Sequence, residues 1–163
     1  LFAEQWQQLD AVFSISTPSA VDRALALVMS QGNWDLIDGA VWSAQPLARK
    51  PLLIQESMGD PVLPNVGSEL AAAASRAVQV SAVLEPVFGV ESAARAEGRP
   101  ALTQFRVPAN VTGGGIHTFV KGNHAAGRAA REQLQAFLSS FWAGAPVVTE
   151  PPTCTANGSS CDF

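Results

Sequence analysis

Apolar residues recur along this chain with two rhythms, one helical and one extended. Phe2, Trp6, Leu9 and Phe13 are three to four positions apart, which predicts an amphipathic helix over residues 1–12. Ser16-Thr17-Pro18 restarts the chain with a polar cap and a proline. A second helix is therefore expected to about Gln31, with Val21, Leu25, Val28 and Met29 on its apolar face and Gly32 as the stop. The rhythm then changes. Leu52-Leu53-Ile54, entered through Pro51 and broken at Met58-Gly59-Asp60-Pro61, reads as a buried strand of a parallel sheet followed by a sharp loop. An alanine-rich helix is predicted over 67–77, a short extended piece over 78–86, and a loop or helical turn around Glu91 to Ala96. Ala101-Leu102-Thr103-Gln104-Phe105-Arg106-Val107 alternates in the β sense and stops at Pro108. After a glycine-rich loop, Ala130, Leu134, Phe137, Leu138 and Phe141 mark a helix over 125–142, and the tail from Gly144 reads as a surface arm.

Composition narrows the class. With 163 residues, 47% of them apolar and 15% charged, the chain has room for one globular domain and too little for two ordinary ones. Ten basic against fourteen acidic residues leave a net charge of −4 and no basic patch, which argues against a nucleic-acid partner. No window approaches the roughly 18 uninterrupted apolar residues of a membrane span. The amino end also lacks the basic-then-apolar layout of a signal peptide. Its first residue is Leu1 rather than methionine, which fits a fragment or a processed chain.

Cys154 and Cys161 flank an Asn157-Gly158 turn, a spacing that suits a small disulfide ring and an oxidising compartment; two free thiols are the alternative. Two thiols without nearby histidines do not make a zinc site. Asn110-Val111-Thr112 and Asn157-Gly158-Ser159 match the glycosylation triplet, a pattern common by chance.

The chemistry concentrates in two loops. Asp60 follows a strand directly, and in open α/β sheets ligands and catalytic groups gather at the carboxyl ends of strands; the same aspartate also suits a plain turn cap. Both histidines, His117 and His124, lie in the loop 110–124. Its Gly113-Gly114-Gly115 lacks the Gly-Lys-Ser/Thr of a phosphate cradle, so flexibility is the simpler use, and no cofactor is expected. Asp35 and Asp38 do not sit at strand ends as an opposed glycosidase pair would, and Trp34 and Trp42 suit core packing or pocket lining.

Gly59-Asp60-Pro61-Val62-Leu63-Pro64-Asn65 after an apolar strand, then helix, strand, histidine loop and last helix, resembles the carboxyl-terminal half of an α/β-hydrolase, over about 32–143. The likeness is to bacterial secreted esterases and lipase-like serine hydrolases. It implies an α/β fold holding the last parallel strands of the sheet, with residues 1–49 as a helical cap or lid, 50–143 as the hydrolase half and 144–163 as a Pro-rich tail. It also implies a secreted or periplasmic location and a small ester or lipid substrate. Asp60 becomes the triad acid. His124 is preferred as the base, because His124-Ala125-Ala126-Gly127-Arg128 is similar to the family's lead into its terminal helix, with His117 as the alternate. The nucleophile departs from the pattern. No Gly-x-Ser-x-Gly elbow occurs, and Ser57, in Gln55-Glu56-Ser57-Met58-Gly59, is only an imitation within the acid loop. The expected role is thus the acid and histidine of a Ser-His-Asp triad, completed by a missing amino-terminal half; the alternative is a non-catalytic binding or structural module on the same scaffold.

Overall fold

A computed structural model describes residues 3–34, 50–80 and 83–152. The chain is a mixed α/β protein whose centre is a four-stranded sheet with every pairing parallel. Its elements run α1 (Ala3–Ser16), α2 (Ala20–Trp34), β1 (Leu53–Ser57), α3 (Asn65–Ala74), β2 (Val78–Val80), β3 (Glu91–Ala93), β4 (Arg95–Glu97), β5 (Ala101–Phe105), α4 (Gly114–His117), α5 (Ala125–Trp142) and β6 (Val147–Thr149). A 3-10 turn at Phe119–Lys121 joins α4 to α5.

Spatial order in the sheet is β1-β5-β2-β3. The two strands read from sequence are therefore direct neighbours, in register from Leu53 opposite Ala101 to Ser57 opposite Phe105. Side chains alternate across the pleat, which divides the core into two layers. Ile54 and Leu102 meet Ala72 of α3, with Ala77 and Val87, on one face. Phe105 packs with Ala126, Ala129 and Ala130 of α5, and Leu53 and Ala101 lie with Phe137 of the same helix. The small residues of α3 and α5 let both helices approach closely.

Polar side chains also cross the sheet buried, which an apolar pattern alone does not anticipate. Between β1 and α5, Gln55 donates to the Gln133 carboxamide oxygen at 2.8 Å, and Gln133 donates to Thr103 Oγ1 at 3.0 Å. Toward α3, Gln104 donates to Glu56 at 3.0 Å and accepts from Gln79 at 2.7 Å and from the Leu84 and Glu85 amides. These bonds satisfy groups whose burial unpaired costs free energy, while Glu56 Oε2 and Gln79 Oε1 keep no hydrogen-bond partner among the described residues.

Four expectations change. The stretch around 91–96 forms β3 and β4 instead of a loop or helical turn, because β2 and β6 supply the hydrogen-bonding partners. Residues 147–149 are not a free arm: β6 pairs antiparallel with β4 and buries Val148. α2 continues through Gly32, which a helix tolerates at a cost of about 1 kcal/mol relative to alanine. The expected apolar face of α2 is also exposed at Val21, Leu25, Val28 and Met29. Among the described side chains, Arg23 of α2 binds Asp10 of α1 at 2.7 Å and donates to the carbonyls of Thr17 and Pro18. Among the described residues no helix is long and apolar enough to cross a membrane. Asp35, Asp38, Trp42, Cys154 and Cys161 lie outside the described residues, as does the side chain of Trp34.

Candidate acid and histidine site

The site forms where β1 and β5 end side by side. Beyond Ser57 the ladder continues for one more bond, Met58 N to the Phe105 carbonyl at 2.8 Å. The chain then turns through Gly59, whose φ of 74° is left-handed and suits glycine. Asn65, at the start of α3, clasps this turn from both sides. Its Oδ1 accepts from the Gly59 amide and its Nδ2 donates to the Ser57 carbonyl, each at 2.9 Å.

Asp60 sits inside the clasp, 8% exposed. Oδ1 accepts from the amides of Val62 at 2.8 Å and Leu63 at 3.1 Å, which is the local turn cap. Oδ2 lies 2.8 Å from Nδ1 of His117. Burial alone pushes this carboxyl up, but the hydrogen bonds from His117, Val62 and Leu63 outweigh it and hold Asp60 below its ordinary range. An ionised Asp60 accepts, so Nδ1 of His117 donates, and in the neutral form of the ring Nε2 carries the lone pair. That second nitrogen has no hydrogen-bond partner among the described residues, and the side chain is 34% exposed. An imidazole held this way can take a proton at Nε2 while the carboxylate stabilises the resulting cation.

His117 ends α4, a single helical turn entered through Gly113 at φ 56°. Two contacts bracket it. Ser57 Oγ donates to the Ile116 carbonyl at 2.7 Å, and Phe119 packs on Phe105 with ring centroids 5.3 Å apart.

The structure brings His117, the alternate, beside Asp60, and places His124, the preferred base, at the start of the last helix. His124 is the N-cap of α5, its Nδ1 accepting from the Gly127 amide at 3.1 Å. That bond places its proton on Nε2, which is buried with no hydrogen-bond partner among the described residues. The ring therefore serves the helix start. A signal for this was present in the sequence, since a helix beginning at Ala125 puts His124 at the capping position.

A cavity of about 130 Å³ opens beside the pair, walled by Glu56, Ser57, Asp60, Asn65, Ser68 and His117 among others. Glu56, 4% exposed, has one oxygen bonded to Gln104 and the other unpaired. Burial chiefly, with Glu69 and Glu85 nearby, pushes its carboxyl up against the opposing hydrogen bond of Gln104 and the influence of the neighbouring Asn65 amide. Glu56 and Asn65 escaped the sequence reading, and Ser57 entered it only as an imitation nucleophile. Two polar residues closing an apolar strand were the available signal.

No group of three or more His, Cys, Asp or Glu that could hold a metal ion occurs among the described residues. Compared with family models, with curated proteins and with solved structures, the chain finds no match.

Proposed function

We propose that this chain supplies the acid and the base of a Ser-His-Asp triad in a serine hydrolase of carboxylic esters or lipids. The observation that carries the reading is the 2.8 Å contact between Asp60 Oδ2 and His117 Nδ1 at the carboxyl ends of two adjacent parallel strands. Strand, acid turn and helix come first, and after the short strands β2, β3 and β4 come β5, the histidine turn and the long helix; the acid-before-histidine order resembles the last part of an α/β-hydrolase sheet, which is the fold this reading assigns.

In the mechanism, His117 Nε2 takes the proton of a serine hydroxyl as that oxygen attacks the ester carbonyl. It then returns the proton to the leaving alcohol. Asp60 keeps the Nδ1–H tautomer and stabilises the imidazolium throughout. The serine belongs to a segment outside these 163 residues, where a Gly-x-Ser-x-Gly elbow and an oxyanion hole would be found. The secreted or envelope location goes with a Cys154–Cys161 disulfide, which non-reducing mass spectrometry would detect as a loss of two hydrogens; two alkylatable thiols in the natively isolated protein would remove it.

The test of the reading is turnover of a p-nitrophenyl ester by the complete gene product. Asp60→Asn should lower turnover by up to about 10⁴-fold with the fold intact, because the amide holds the wrong tautomer. Asp60→Asn with His117→Ala should be scarcely worse than either alone, since the groups act as a unit. Undiminished turnover in Asp60→Asn, or a reading frame without a Gly-x-Ser-x-Gly serine, would defeat the proposal.

A further inference from the structure

The acid is well anchored by its strand, and the histidine is not. Residues 106–113 separate the end of β5 from α4, so the sheet does not by itself dictate where His117 stands. A turn carried on such a loop needs ties from elsewhere to hold an imidazole within hydrogen-bond reach of a carboxylate.

We propose, on the reading of Asp60 and His117 as an acid–base pair, that Ser57 is the positioning residue that sets His117 against Asp60. Its buried hydroxyl donates to the carbonyl of Ile116, the residue immediately before the histidine. Its own carbonyl is taken by Asn65 Nδ2, in the clasp that shapes the Asp60 turn. One residue is thus bonded to both halves of the pair.

The register strengthens the argument. Ser57 lies opposite Phe105 in the sheet, and Phe105 packs on Phe119. Two residues facing each other across the last rung of β1 and β5 therefore pin positions 116 and 119, on either side of His117. The apolar pin tolerates sliding of one ring over the other. The hydroxyl, with a directional bond of 2.7 Å, does not. This use also explains why Ser57 is not itself the nucleophile: its proton is committed to Ile116, and it makes no hydrogen bond to His117.

The measurement is the low-field Nδ1 proton of His117 in the ¹⁵N-histidine-labelled complete gene product, assigned by its absence in His117→Gln. In Ser57→Ala the signal should vanish, while amide resonances of β1, β5 and α5 keep their positions. Ser57→Thr should retain the signal and Ser57→Val, of the same size without the hydroxyl, should lose it. The threonine and valine pair decides the matter if the alanine variant does not fold. A signal that persists in alanine or valine, or is lost in threonine and valine alike, overturns the role of Ser57 and leaves the acid–base pair standing. Absence of the signal in the unaltered protein overturns the pair itself, and the positioning role with it.

Discussion

Asp60 gives one carboxylate oxygen to its own turn and the other to His117, so the capping and the chemical readings of this residue are both satisfied. Its carboxyl is held below the ordinary 3.8, and the sign of the stability effect follows. The folded state favours the ionised form, so Asp60 stabilises the protein above the unfolded value, and this contribution is lost as pH falls through the lower folded one. Denaturation midpoints of the wild type and Asp60→Asn should therefore differ at neutral pH, by about 1.5–3 kcal/mol for hydrogen bonds to a charged group, and converge in strong acid. Glu56 runs the other way. Its raised carboxyl is protonated more readily folded than unfolded, so stability falls as pH climbs from the ordinary 4.5 through the folded value. Glu56→Gln should be increasingly more stable than the wild type as pH rises across that window; parallel midpoint curves would contradict it. Asp60 was legible because a strand end followed by Gly-Asp-Pro is a local pattern. Glu56 and Ser57 were not, because their partners Gln104 and Ile116 are distant in sequence and come together only in the sheet.

Capping decides the second histidine at the scale of elements. His124→Ala should destabilise the protein by about 0.5–2 kcal/mol, the usual loss of an N-cap, as read by chemical denaturation. Gly127 is more demanding. A β-carbon there would stand 2.5 Å from the carbonyl oxygens of both Phe119 and Gly122, so Gly127→Ala should cost at least the roughly 1–3 kcal/mol of an overpacked core and exceed the cap variant. A smaller loss at Gly127 than at His124 would count against this packing of α5. The extent of α5 matches the helix read from its apolar spacing, since a long amphipathic pattern is a strong local signal. β3, β4 and β6 were missed for the opposite reason. Glu91-Ser92-Ala93 and Arg95-Ala96-Glu97 have little extended preference of their own, and their pairing comes from β2 and from residues some fifty positions on.

Among the described residues, β1 has no strand neighbour on its outer edge, where the chemistry sits. β1 stands at the rim of the four-stranded sheet, and the residues hydrogen-bonded to β5 alternate with Leu53, Gln55 and Ser57, whose backbone faces the other way. A parallel edge strand left open is a template for further pairing, so the chain expressed alone should self-associate or hold a partner. Static light scattering that finds a stable monomer would contradict that expectation. The parallel sheet and its flanking helices were visible in the order of apolar runs; the strand order β1-β5-β2-β3 was not, because it is set by pairings between residues distant in sequence. The central claim, that His117 and not His124 is the base beside Asp60, comes down to one comparison. Ester turnover should be measured in the complete gene product carrying His117→Ala or His124→Ala, at a temperature where both are folded. The account expects a loss on the order of 10⁴-fold for His117→Ala and near wild-type turnover for His124→Ala; the reverse order, or full activity in both, would contradict it.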